Sequence, residues 1–129
     1  MYTVLFAEDT DMVRELFCEA LRRSGYCVLA AEDGVKALSL ARRHPGPIHL
    51  LITDLMMPRL GGLELRRALR PFHPETGVLF ISGYSPDELD SDTPFLQKPF
   101  TPVTLLARVT EILQSSESSR ACGSSHSSF

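Results

Sequence analysis

The chain has 129 residues, enough for one domain, and its 43% hydrophobic and 22% charged content is that of a soluble globular protein rather than a disordered or fibrous one. A net charge of −3 and an isoelectric point near 5.8 exclude a general electrostatic attraction to nucleic acid. No apolar run reaches the roughly 18 residues of a spanning helix, and Glu8 and Asp9 come too early for a secretory signal, so a cytoplasmic protein is expected.

The elements alternate along the chain. Thr3–Ala7 is a short apolar strand, and Asp11–Ser24 then repeats apolar residues at Met12, Val13, Leu16, Phe17, Ala20 and Leu21, the spacing of a helix that Gly25 stops. Tyr26–Ala31 reads as a second strand, Asp33-Gly34 opens a helix through Arg43, and "HPGP" ends it. Ile48–Thr53 is the third strand, "MPRLGG" a loop, Leu63–Leu69 a helix and Val78–Ile81 the fourth strand. Ser85-Pro86-Asp87-Glu88 has the form of a helix start, yet Ser91–Pro94 interrupts the helical pattern soon afterwards, so this fourth helix is short. Phe95–Gln97 is the last strand, and Thr101-Pro102 caps a helix that points Leu105, Leu106, Val109, Ile112 and Leu113 at the core.

Strands this apolar, alternating with helices, imply an α/β doubly wound parallel sheet of five strands with helices on both faces, in the expected order 2-1-3-4-5. The domain is expected to fill residues 1–114, with 115–129 a serine-rich disordered tail or linker. Cys18, Cys27 and Cys122 lack metal or disulfide spacing and read as reduced structural thiols. His44, His49, His73 and His126 also lack metal spacing and read as surface or loop residues, while Arg22-Arg23, Arg42-Arg43 and Arg66-Arg67 read as solvated helix faces.

Right-handed crossovers bring the strand C-termini to one edge, where such sheets bind ligands. Glu8-Asp9, Asp54, Ser82 and Lys98 all fall there; Glu32 and Asp33, after the second strand, are left with a structural role at a helix opening. Carboxylates that converge repel, by about 4 kcal/mol for a pair 4 Å apart at an effective dielectric near 20, so a cation is needed. An all-oxygen site with phosphate ligands suits magnesium better than zinc. Metal, lysine, hydroxyl and carboxylate together are equipped to receive a phosphoryl group, with Asp54 as nucleophile.

"AEDT" (Ala7–Thr10), "ITDLMMPRLGGLEL" (Ile52–Leu65), "FISGYS" (Phe80–Ser85) and "FLQKPFTP" (Phe95–Pro102) stand in order across Val4 to Leu113. In them the chain resembles the receiver domains of two-component response regulators, in wording closest to receivers attached to hybrid sensor histidine kinases. The resemblance implies a flavodoxin-like fold with Asp54 as phosphoacceptor. Glu8, Asp9, Asp54 and the backbone carbonyl of Met56 would hold Mg2+, and Ser82 and Lys98 would bind the phosphoryl group. Phe95 is then the aromatic whose rotamer follows Ser82, and Pro99 follows a cis peptide. The donor is a sensor histidine kinase or phosphotransfer protein, and the rest of a hybrid kinase is a further candidate partner. Catalysis would be limited to Mg-dependent self-phosphorylation and autodephosphorylation in a phosphorelay.

Plainer roles stand beside these. Glu8-Asp9 could favour the dipole of the first helix, Asp54 cap the next turn, Ser82 serve the turn at Gly83, Lys98 lie on the surface and Phe95 be simple core. A phosphatase of similar architecture would need a second acid where Met56 stands, and a phosphorylation-independent interaction domain of the same fold is the remaining alternative. The interval from Ser82 to Lys98 is shorter than usual for receivers, which puts in doubt dimerisation through the face built on the fourth helix.

Overall fold

A computed structural model describes residues 2–84 and 89–126, with side chains as far as Ser115. The elements are β1 (Thr3–Ala7), α1 (Asp11–Arg23), β2 (Cys27–Ala31), α2 (Gly34–Arg43), β3 (Leu50–Asp54), α3 (Gly62–Leu69), β4 (Gly77–Ser82), β5 (Phe95–Gln97) and α4 (Pro102–His126). All strand pairs are parallel and the order is β2-β1-β3-β4-β5, as the sequence predicts.

Successive side chains of a strand point to opposite faces, and the core divides accordingly. Val4, Phe6, Leu50, Ile52, Leu79 and Ile81 meet Phe17, Cys18 and Leu21 of α1 and Leu105, Val109 and Leu113 of α4. Leu5, Ala7, Leu51, Val78 and Phe80 meet Ala37 and Ala41 of α2 and Leu65 and Leu69 of α3. Both faces are covered, which is why the central strands carry no wet side.

Three expectations shift. β3 begins at Leu50 and includes Asp54, which pairs with Ile81, and β4 includes Ser82, which pairs with Gln97. Both polar residues are therefore the last rungs of the ladder rather than the first residues beyond it. The expected helix start at Ser85–Glu88 lies outside the described residues; Leu89–Pro94 forms turns, with Thr93 N–H donating to the Asp90 carbonyl at 3.0 Å, and among the described residues no helix separates β4 from β5. The chain from residue 115 on, expected to be disordered or a linker, is helical in its backbone to His126. Nothing between Val103 and His126 is proline, and extending a formed helix is far easier than starting one, so a serine-rich run continues it.

The histidines and arginines are partly less peripheral than expected. His49 is half-buried and accepts from Thr3 N–H at Nδ1 (2.9 Å), and His73 Nε2 lies 2.8 Å from the Ala41 carbonyl. Arg66 is half-buried over the Phe80 ring, where burial and nearby Arg70 hold its pKa below the usual arginine value. Cys18 is a buried thiol whose pKa burial pushes up to about 11, and Cys27 is free and exposed. No described helix is long and apolar enough to cross a membrane.

Candidate functional site

Glu8 leaves β1 still in register with β2, its N–H donating to the Ala31 carbonyl at 3.0 Å. Its side chain is fully buried, a costly position for a carboxylate without partners. Partners are supplied: Lys98 Nζ at 2.6 Å from Oε1, and the Thr10 N–H at 3.2 Å from Oε2. Arg14 Nη1 donates to the Glu8 carbonyl at 2.8 Å and fixes the main chain beneath it.

Asp54 is almost as deeply buried. Lys98 Nζ also reaches its Oδ2, at 2.7 Å, and the Met56 N–H donates to Oδ1 at 3.0 Å. One ammonium thus bridges carboxylates from the ends of β1 and β3. Exposed Asp9 completes an acidic group in which oxygens of Glu8, Asp9 and Asp54 all lie within 4.8 Å of one another. Lys98 is more than a surface lysine, since its ammonium bridges two buried carboxylates, while the bond from Met56 N–H makes Asp54 a turn acceptor as well.

The electrostatics follow from the count. Burial, together with Asp9 and Asp54, raises the Glu8 pKa to about 7 despite Lys98 and the Thr10 N–H. Lys98 is opposed by its own burial, but its hydrogen bonds to Asp54 and Glu8 win and lift it above the usual lysine value. One lysine against three acids leaves the group short of positive charge. That is a donor set suited to a hard divalent cation: carboxylate oxygens only, close enough to share one ion, and under-neutralised without it.

Ser82 is buried at the end of β4; its Oγ accepts a long hydrogen bond from Tyr84 N–H (3.4 Å), and its carbonyl accepts from Lys98 N–H at 2.7 Å. That bond carries the chain from β5 into the cis Lys98–Pro99 peptide. Phe95 is half-buried opposite Phe80 and packs on the α2–α3 side of the sheet. The Met56 side chain is exposed, and its contact with Asp54 is made through the backbone N–H.

The sequence reading missed several contacts made around these strand ends. Thr10 and Arg14 act through Glu8, and Asp33 does more than open α2: its buried carboxylate accepts from Lys36 N–H at 2.8 Å and pairs with Arg59 in the loop after Asp54. Glu32, the other acid set aside with it, is exposed and lies 3.9 Å from Lys36 on α2.

Comparison with known proteins agrees with the geometry. Residues 4–110 match the family model of the response regulator receiver domain. The chain is 37% identical over 118 residues to the sensor kinase CckA of Brucella abortus, covering 87% of this chain but only 12% of the kinase. It is 34% identical to the response regulator receiver protein CpdR of the same organism, covering 88% of this chain and 98% of that protein. Among solved structures, the receiver domain of the hybrid histidine kinase CckA matches with a TM-score of 0.77 at 40% identity, over 86% of this chain and 98% of that one. The chemotaxis protein CheY4 of Vibrio cholerae matches with a TM-score of 0.79 at 30% identity, over 88% and 99%. Fold, site and similarity converge: the chain belongs to the response regulator receiver domain family of two-component signal transduction.

Proposed function

We propose that the domain takes a phosphoryl group onto Asp54 from the phosphohistidine of a sensor kinase or phosphotransfer protein in the cytoplasm. The observation that carries this reading is the Lys98 ammonium bridging Glu8 and Asp54 at the strand ends. An Asp54 oxygen attacks phosphorus, the phosphorus–nitrogen bond breaks, and its electron pair returns to the imidazole, which takes up a proton. The new acyl phosphate has lost its carboxylate charge, so Lys98 turns to a phosphoryl oxygen and Ser82 donates its hydroxyl to another.

Glu8, Asp9, Asp54 and the Met56 carbonyl would hold Mg2+. Bound there, the ion would add positive charge beside the phosphoryl oxygens and orient them for in-line transfer. Phe95 would follow Ser82, biasing two loop states separated by a few kcal/mol. Water attack on phosphorus later returns Asp54 and releases phosphate, which with self-phosphorylation makes up the domain's own catalysis. The domain is proposed to end near residue 114; among the described side chains Leu113 is the last buried one of α4. The relatives include a kinase of which this chain matches a small part and a regulator it matches almost end to end. A free-standing regulator and a part of a hybrid kinase are both compatible with that pattern.

The test is intact mass after incubation with a small-molecule phosphodonor, with and without magnesium. One magnesium-dependent phosphoryl addition, absent from Asp54→Asn and Asp54→Ala, is expected. No addition to a folded, magnesium-binding protein would overturn the reading in favour of a phosphorylation-independent interaction domain.

A further inference from the structure

The loop between Asp54 and α3 is closed on itself, Gly62 N–H donating to the Leu55 carbonyl at 3.1 Å, and Leu55 N–H is anchored to the Ile81 carbonyl at 3.0 Å. Inside that closure the chain makes a three-residue turn, Leu60 N–H to the Pro58 carbonyl at 2.8 Å, with Arg59 at its centre. Arg59 has φ 71°, the left-handed region, and it is the one non-glycine residue there among the described residues. Such turns are rare and strained, and a long side chain gains nothing from that backbone by itself.

The turn is held from α2. The Arg59 guanidinium pairs with the buried carboxylate of Asp33, which its other contacts already fix, since it caps α2 through Lys36 N–H. That amide, more than Arg59, keeps the Asp33 pKa below the usual carboxylate range. Next to the pair, main chain meets main chain: a Cβ on Gly34 would stand 2.3 Å from the Leu60 carbonyl oxygen. The ligand loop is thus laid against the start of α2 at two consecutive positions. Among the described residues, Arg59–Asp33 is its charged tie to another element.

We propose that the Asp33–Arg59 ion pair is a positioning device: it holds the Pro58–Leu60 turn against α2 and thereby sets where the Met56 main chain stands relative to Asp54. This rests on the assignment of Met56 and Asp54 under the proposed function. Met56 has one amide that grips Asp54 Oδ1 and one carbonyl offered to the ion, so a turn that drifts away from α2 loosens both together.

The variants separate the ion pair from the backbone. Arg59→Ala removes the guanidinium and keeps the strained φ; Arg59→Gly removes it and relieves the strain; Arg59→Lys restores a cation; Asp33→Asn keeps the cap acceptor and loses the charge. Two quantities are read: hydrogen exchange of the Met56 amide without metal, and the magnesium concentration giving half-maximal phosphorylation by a small-molecule donor. Arg59→Ala, Arg59→Gly and Asp33→Asn are each expected to speed Met56 exchange and raise that concentration by about three- to tenfold, with the saturated rate unchanged and Arg59→Lys partly restored. Wild-type values in Arg59→Gly, whatever Arg59→Ala does, would overturn the proposal, because the turn would then hold itself. If the wild type takes no phosphoryl group, the proposed function falls, and unchanged Met56 exchange in the variants would separately overturn the positioning role.

Discussion

Lys98 and Glu8 stand 90 positions apart in the chain and meet at 2.6 Å, the lysine at the rim and the carboxylate out of reach of solvent. Removing one partner of a buried ion pair costs roughly 3–5 kcal/mol when the other stays charged.

Glu8 has a way out of that penalty, because its pKa already sits near 7 and rises further without the ammonium. Lys98→Met is therefore expected to lose less than about 3 kcal/mol at pH 6 and more at pH 8.5. The sign comes from proton binding: the folded variant holds a proton on Glu8 that the unfolded chain releases, so stability falls as pH rises toward the folded pKa. Urea unfolding at the two pH values is the measurement, and an equal loss at both would contradict the protonation of Glu8.

Magnesium and protons should compete at the same carboxylate. With the Glu8 pKa raised to about 7, affinity is expected to tighten as pH rises toward 7, by up to about tenfold per unit, and to level off above it. Isothermal titration in buffers of different ionisation enthalpy would show proton release on binding near pH 6 and almost none at pH 8.

Gly62 opens α3 directly behind the acceptor, where an added Cβ would stand 2.5 Å from the Asp54 carbonyl oxygen. Backbone on both sides leaves no side chain to yield, so Gly62→Ala is expected to cost about 1–3 kcal/mol. It should also slow phosphorylation, because relief must come from moving Asp54 or the first turn of the helix. Thermal unfolding and the phosphorylation rate together check this; lost stability with an unchanged rate would mean that the helix alone moves.

Ser82 separates acceptance of the group from the response to it. Ser82→Ala gives up one long hydrogen bond, from Tyr84 N–H, and is expected to change stability by less than about 1 kcal/mol. Phosphoryl uptake by Asp54 should persist while amide shifts in β5 on phosphorylation shrink. Equal shifts in variant and wild type would remove Ser82 from the switch.

Sheet order and the meeting of Asp54 with Lys98 were legible because both come from local pattern: alternating periods set the topology, and topology sends strand ends to one edge. Glu8, Asp9 and Lys98 needed no further information. Asp33–Arg59 was not legible, since nothing local in "EDG" or "MPRLGG" says that one loop leans on the other helix. The register of Asp54 and Ser82 was missed for a similar reason. A polar side chain ends an apolar run in sequence, but its backbone keeps pairing as long as the neighbouring strand offers a partner. Helix α4 was read too short because composition reports which residues can build a core, whereas a helix already begun needs only backbone.

β5 has three residues and one neighbour, whereas β3 is paired over four positions with β1 and five with β4. The anionic half of the site is therefore mounted on the stiff middle of the sheet and its cation on the slack margin. Under the proposed function, a change of charge at Asp54 would act through Lys98 on the least-paired strand of the sheet, next to the start of α4.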